Sequence, residues 1–324
     1  MRQIPEIIQK IKSIPNREID YSFQKNVSVS QMSMYASCPK KWSLQYKEGH
    51  KAFTSNIHTV FGTALHETIQ HFLHILYEEN SVQADEFDIE NFFENSFRDN
   101  YNKQYEKNKS KHFSNASEMS EFFDDGIEIL RFIKDKRREY FIKKDYYLVG
   151  VEIPLVISPN PKFPNVVFGG FIDLVLYCES TDTFIIYDIK TSSRGWSDKD
   201  KKDIHKQNQL LLYKSIFSEQ FGISEDKIDV KFFILKRKIW EESIFSKRIQ
   251  EYSPISGKNK IKNARKHLEN FIENVFNIDG SYKNIEHKPT PDPKTCKYCM
   301  FNKMPELCDK GKEKKTSKFK FVID

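Results

Sequence analysis

Two strand-like runs separated by a short polar turn constrain this chain more than any other feature. Residues 167–177 and 184–190 are rich in β-branched and aromatic side chains, and Glu179-Ser180-Thr181-Asp182 between them reads as a hairpin turn. With the turn centred between Ser180 and Thr181, antiparallel pairing opposes residues whose numbers sum to 361, which sets Asp173 across from Asp188. Side chains alternate along a strand, so Lys190 projects from the same face as Asp188 while Ile189 points away. Directly opposed residues have Cβ atoms about 4.5 to 5.5 Å apart, where like charges are destabilising unless something positive lies between them. A divalent cation answers that need.

Two carboxylates and an ammonium around a cation suit phosphodiester hydrolysis. Hard oxygen ligands hold Mg²⁺ or Mn²⁺, the ion activates water and neutralises phosphate charge, and the lysine orients the water or stabilises the transition state. In a chain with 30% charged residues an Asp-x-Lys triplet also arises by chance, and these residues alone equally describe a solvated sheet face.

The neighbouring residues add to this. Asp173 and then Asp188-Ile189-Lys190 resemble the active-site pattern of the PD-(D/E)XK nuclease superfamily. Gly169-Gly170-Phe171-Ile172-Asp173 and Asp188-Ile189-Lys190-Thr191 are similar to segments of its RecB-type branch. So are Phe61-Gly62-Thr63-Ala64-Leu65-His66-Glu67 upstream and Gln209-Leu210-Leu211-Leu212-Tyr213 downstream. The resemblance implies catalytic roles for Asp173, Asp188 and Lys190, and a metal set of His66, Asp173, Asp188 and the Ile189 backbone carbonyl. On spacing alone His66 flanks an amphipathic helical stripe of Phe61, Leu65, Ile69, Phe72 and Leu76, where packing or solvation would also explain it. Gln209 and Tyr213, four apart on an expected helix over 202–221, share a face. They either pack on the sheet or, as the resemblance implies, support Lys190 or a DNA phosphate. Glu152, in an expected strand over 148–157, matches a glutamate of the same branch and is either near the metal site or an edge-strand charge.

A second constellation is made of cysteines. Cys296-Lys297-Tyr298-Cys299 is a CxxC, eight residues separate Cys299 from Cys308, and Cys38 stands far upstream, with Cys178 at the end of the Asp173 strand. No secretory signal or twenty-residue apolar run is apparent, so a cytoplasmic protein is expected, of bacterial or phage type, in which clustered cysteines point to metal rather than disulfides. Ser28-Val29-Ser30-Gln31 and Tyr35-Ala36-Ser37-Cys38-Pro39-Lys40-Lys41-Trp42 resemble the N-terminal cysteine segment of iron-sulfur RecB-type nucleases, a group that includes CRISPR-associated exonucleases. That resemblance implies a [4Fe-4S] cluster on Cys38, Cys296, Cys299 and Cys308, although four thiolates also suit zinc. The gap before Cys308 is longer than is usual in that group. A cluster closing so long a loop would be structural, contributing up to about 5 kcal/mol by analogy with a disulfide.

The expected fold is α/β: a restriction-endonuclease-like mixed sheet flanked by helices, with a mostly helical N-terminal half and a C-terminal cysteine segment. Further elements are expected as a strand over 228–236 and a helix over 256–276. Residues 1–27 read as an extension, 28–309 as a single nuclease domain whose ends a metal cluster joins, and 310–324 as a basic tail. Lys and Arg exceed Asp and Glu by only six, so contact with a polyanion depends on local clusters: Lys40-Lys41, 134–138, 231–238 and 310–320. Trp42, Trp196 and Trp240 are candidate stacking platforms, and the loop over 192–203 a lid or DNA-contacting segment. No GxxxxGK[ST] is present, so unwinding would fall to a helicase or recombination partner. The expected activity is a DNA exonuclease acting on single strands or ends in repair, recombination or DNA processing. The alternatives are a structure- or sequence-selective endonuclease of the same superfamily and a non-cleaving DNA-binding scaffold. No membrane contact is expected, and oligomeric state is not legible.

Overall fold

The computed structural model describes residues 3–50, 56–143, 145–239 and 247–308. Trp240 and the basic run over 310–324 lie outside them. In chain order the strands are β1 (Lys25–Val27), β2 (Tyr146–Ile157), β3 (Val166–Cys178), β4 (Thr183–Ser192), β5 (Ile228–Lys236) and β6 (Ile249–Tyr252). The chain divides into two compact units of interleaved segments. One comprises residues 1–19, 55–157 and 168–266; the other comprises 20–54, 158–167 and 267–324.

The first unit carries a mixed sheet in the order β2-β3-β4-β5-β6. β3 and β4 form the expected hairpin, from Leu174 opposite Tyr187 to Cys178 opposite Thr183, so the register is the one set by a turn centred between Ser180 and Thr181. β4 and β5 run parallel, with Asp188 beside Phe232 and Lys190 beside Ile234, and the Ile204–Phe221 helix crosses between them. That helix starts at Asp203, whose carboxylate accepts the His205 N–H, two residues inside the expected start. It ends at Gly222, whose φ of 66° is the left-handed cap that terminates helices. Phe217 of this helix packs on Phe184, so Phe184, Ile186, Asp188 and Lys190 share the sheet face it covers. Ile185, Tyr187 and Ile189 point the other way, into a core built with three long helices, Ile57–His74, Ile89–Lys107 and Ala116–Asp135.

That core is dense with phenylalanine. At Gly126, a Cβ would stand 2.3 Å from the Phe93 ring and 3.3 Å from Phe61, both fully buried. Alanine elsewhere in a helix gains about 1 kcal/mol over glycine, but here overpacking is the larger effect. Gly126→Ala is expected to lower stability by about 1 to 3 kcal/mol, read as a fall in the denaturation midpoint.

The β5 end is fastened to this helical layer by charge. Arg237, only 8% exposed, donates from Nε to Asp125 Oδ2 at 2.9 Å and lies 3.4 Å over the Phe122 ring. Its backbone N–H donates to the Ser192 carbonyl, tying the end of β5 to the end of β4. Lys238 pairs with both Glu121 and Asp125, and Lys231 with Glu251. Much of the basic cluster over 231–238 is thus committed to internal ion pairs. In the cluster over 134–138, Arg137 is likewise bound to Asp85.

In the second unit β1 leads into helix Val29–Ser37, capped by the Ser28 hydroxyl accepting from the Gln31 N–H. Cys38 separates that helix from a turn of helix at Pro39–Trp42. Trp42 is fully buried among Tyr35, Phe271, Tyr282 and His287, which removes it as a stacking platform for a ligand. Trp196, in the first unit, is also engaged: it packs on Phe232, its backbone N–H donates to Gln250 Oε1, and Lys206 lies over its ring. The loop after β4, expected as a lid or DNA-contacting segment, is thus anchored at Trp196 while Ser193, Arg194 and 197–199 stay exposed. No described helix is long and apolar enough to cross a membrane.

Candidate active site

One stripe of a helix sets the position of the site. The Ile57–His74 helix begins at Asn56, whose side chain accepts the Thr59 N–H, and buries Val60, Phe61, Ala64, Leu65, Ile69, Phe72 and Leu73. Beside that apolar face run Gly62, His66 and Gln70 at four-residue spacing, neighbours on one helical row. A Cβ on Gly62 would meet Thr191 Oγ1 at 3.7 Å, in ordinary contact. His66 has a backbone hydrogen bond with Ile189 and sets Nδ1 3.8 Å from Asp173 Oδ1. Gln70, buried, donates to Glu152 Oε1 at 2.5 Å and reaches the Asp173 carbonyl at 3.4 Å. One helix row therefore meets the end of β4, the middle of β3 and β2 in turn.

The β3–β4 ladder stops at Leu174 and Tyr187, and Asp173 supplies the next link with its side chain. Asp173 Oδ2 accepts the Ile189 N–H at 2.6 Å, which fixes the carboxylate where the two strands part. On the other edge of β3, Val151 pairs with Leu174 and Ile153 with Ile172, so Glu152 stands across from Asp173. Glu152 adopts a left-handed φ of 48°, a conformation that costs a non-glycine residue roughly 1 to 3 kcal/mol and collects at functional sites. Ligand atoms of His66, Glu152 and Asp173 lie within 4.8 Å of one another, the spacing a single metal ion requires.

Asp188 is 1% exposed and its Oδ2 is buried without an aligned hydrogen-bond donor, although Lys190 Nζ approaches it to 2.8 Å as an ion pair. That ammonium is the positive charge that compensates the buried carboxylate. Burial pushes the Asp188 carboxyl up to about 6 against the pull of Lys190, and burial likewise raises Asp173 to about 6. Burial opposes the charge on Lys190, but Asp188 and Asp173 outweigh it and the amine is raised above its ordinary value. Lys190 is thus an ammonium here, not a base. Burial and then Lys190 lower His66, keeping the imidazole neutral with a lone pair to give.

Tyr213 and Gln209 face this group from the Ile204–Phe221 helix. Tyr213 is buried, its hydroxyl accepting from Gln209 Nε2 at 3.4 Å, and burial raises its pKa with Asp188, Asp173 and Glu152 adding to the effect. These two side chains bond to each other rather than to Lys190. Gln70 went unread in the sequence, although its i+4 relation to His66 was a usable signal.

The four cysteines Cys38, Cys296, Cys299 and Cys308 line one cavity of the second unit, with Lys40, Lys41 and Phe301 among its walls. None of the five cysteines is in a disulfide. Cys178 lies in the other unit, buried and bonded to Asp145 and Ser180.

A family model of the PD-(D/E)XK nuclease superfamily matches residues 26–304. The chain belongs to the PD-(D/E)XK nuclease superfamily. Nucleic acid is accordingly its substrate class, and a divalent metal the cofactor typical of such enzymes. Among solved structures it is similar to that of a candidate exonuclease from Eubacterium rectale, at 11% identity, covering 95% of this chain and 97% of that one with a TM-score of 0.50. At that identity the likeness speaks to fold alone. No protein of curated function matches the sequence. In this PD-(D/E)XK chain, Asp173 and Asp188-Ile189-Lys190 are the residues whose pattern resembles the superfamily's acidic pair and lysine.

Proposed function

We infer that this PD-(D/E)XK protein is a Mg²⁺- or Mn²⁺-dependent deoxyribonuclease, acting as an exonuclease on single-stranded DNA or DNA ends. The observation that carries this reading is the convergence of His66, Glu152 and Asp173 ligand atoms within 4.8 Å, beside the buried Asp188–Lys190 pair. The set of imidazole and carboxylate donors suits a hard divalent ion. When bound, such an ion polarises the phosphate and lowers the pKa of a water. His66, Glu152 and Asp173 would hold it, with Asp188 on the inner side and the Ile189 backbone as a further anchor. Gln70 holds Glu152 in place. Lys190, an ammonium whose side chain is 35% exposed, would orient water and phosphate and stabilise charge developing on the phosphoryl oxygens. Gln209 and Tyr213 would back the site.

Digestion of single-stranded and duplex DNA labelled separately at each end tests the activity. The expected result is Mn²⁺-dependent release of mononucleotides or short oligomers from the labelled ends of single strands. Discrete internal fragments would mean an endonuclease, and binding without cleavage a scaffold.

The raised carboxyl groups set a pH dependence. Asp173 and Asp188 near 6 lie above the 3.8 of a free carboxyl, so between about pH 4 and 6 the folded metal-free protein holds protons that the unfolded chain releases. Their burial as anions costs stability above pH 6, and that cost is relieved as the pH falls through 6. A cation competes with those protons. Mn²⁺ at a hundredfold its dissociation constant is expected to stabilise the fold by about 2.7 kcal/mol at pH 7.5, and the gain to vanish as the pH drops below 6. Thermal melts with and without Mn²⁺ across this range check it.

We also infer that Cys38, Cys296, Cys299 and Cys308 hold a [4Fe-4S] cluster in the second unit. Zinc at about 2.3 Å from each sulfur would draw the sulfurs to within about 4 Å of one another. Among the described residues no three cysteine sulfurs lie within 4.8 Å of one another, and all four line the one cavity. Protein purified without oxygen is expected to be brown with about four irons and four sulfides per chain, and Cys299→Ser to lose both colour and thermal stability.

A further inference from the structure

Phe171 is a large apolar ring left 57% exposed two residues before Asp173 on β3. Its neighbours Phe168 and Ile172 are fully buried, so exposure is not general at this end of the sheet. Phe171 stands across from Pro154 on β2, just as Glu152 stands across from Asp173, which puts the ring on the same two-stranded ribbon as two of the candidate cation ligands. Two residues along a strand are about 7 Å. That is close to the spacing from a phosphate to the bases flanking it. Gly169 and Gly170 precede the ring and present no side chain beside it. Among the described residues, no other ring contacts Phe171. Among the described residues of the unit carrying the site, the strongly exposed large apolar side chains are Ile4, Val82, Phe171, Ile204 and Ile255, and of these Phe171 is the one aromatic.

Resting on the nuclease reading above, we propose that Phe171 is a stacking platform for a base adjoining the scissile phosphate, and that it selects unpaired nucleic acid. A base inside a duplex already has both faces covered by its neighbours. An unpaired base has a face to offer, and every base has one, so the contact favours single strands or frayed ends without favouring a sequence. Neither described tryptophan fills this role: Trp42 is buried and Trp196 carries Phe232 and Lys206 against its ring.

Binding is measured with Asp188→Asn protein and Mn²⁺, so that the strand stays intact, using a fluorescent oligothymidylate. Phe171→Ala is expected to weaken binding about tenfold to a hundredfold, Phe171→Leu to do the same, and Phe171→Trp to bind as tightly with its indole emission quenched on binding. An oligomer with abasic sites should bind the Phe171-containing protein as weakly as the normal oligomer binds Phe171→Ala, with no further loss when both changes are combined. In cleavage by the protein with Asp188 intact, the Phe171→Ala loss should fall on KM more than on kcat. The proposal is overturned if Phe171→Ala binds within twofold, if leucine restores full affinity, or if the abasic penalty is unchanged in Phe171→Ala. Cleavage by the unsubstituted protein alongside any of those results removes the stacking role and leaves the nuclease reading standing. A protein that neither cuts nor binds nucleic acid removes both.

Discussion

Asp188→Asn is expected to slow strand cleavage at least about a thousandfold, or some 4 kcal/mol in the barrier, while leaving the protein folded. The amide keeps the shape of the carboxyl and removes a buried anion whose Oδ2 lacks an aligned donor. Burial already raises this carboxyl to about 6, so the charge is held for chemistry at the expense of stability. Lys190 loses its close partner, but its side chain reaches solvent and keeps Asp173 nearby. Single-turnover rates at saturating Mn²⁺ and a melt of the metal-free protein give the two readouts. A variant that cuts within tenfold of the unsubstituted protein would remove Asp188 from the mechanism.

Asp125→Ala is expected to be the most damaging change to stability, by about 3 to 5 kcal/mol. Arg237 would keep its charge at 8% exposure with its Nε partner gone, and its remaining ion pair to Glu121, at 3.1 Å, involves a carboxylate that is half exposed. The double variant Asp125→Leu with Arg237→Met should recover much of the loss, because replacing both charges leaves neither uncompensated. Denaturant midpoints of the first unfolding transition measure both. A loss under 1 kcal/mol for Asp125→Ala would show that Arg237 finds solvent or another partner easily.

The hairpin was legible because two apolar strand-like runs flank a symmetric polar turn, and centring that turn sets the register that runs from Leu174 opposite Tyr187 to Cys178 opposite Thr183. What the pattern could not show is that backbone pairing ends there and that the Asp173 side chain takes over by accepting from Ile189. Glu152 was harder still. A shift of register between Leu148 and Gly150 and a left-handed backbone bring it across from Asp173, and neither leaves a mark in composition. β6 is four residues long, too short for an alternation signal. Trp42 and Trp196 misled for a simple reason: a large ring beside lysines reads equally as a ligand platform or as a packed side chain, and the packing that decides between them is a tertiary property. Phe171 stood inside a motif whose glycines and aspartate drew the reading, and only its exposure sets it apart.

The most direct measurement is anomalous diffraction from crystals soaked in Mn²⁺. One strong manganese peak is expected within about 2.0 to 2.4 Å of a His66 ring nitrogen and of carboxylate oxygens from Glu152 and Asp173, with Lys190 facing it. Manganese absent from that group under conditions that support cleavage, or bound elsewhere with the Asp173 and Asp188 carboxylates turned apart, would contradict it.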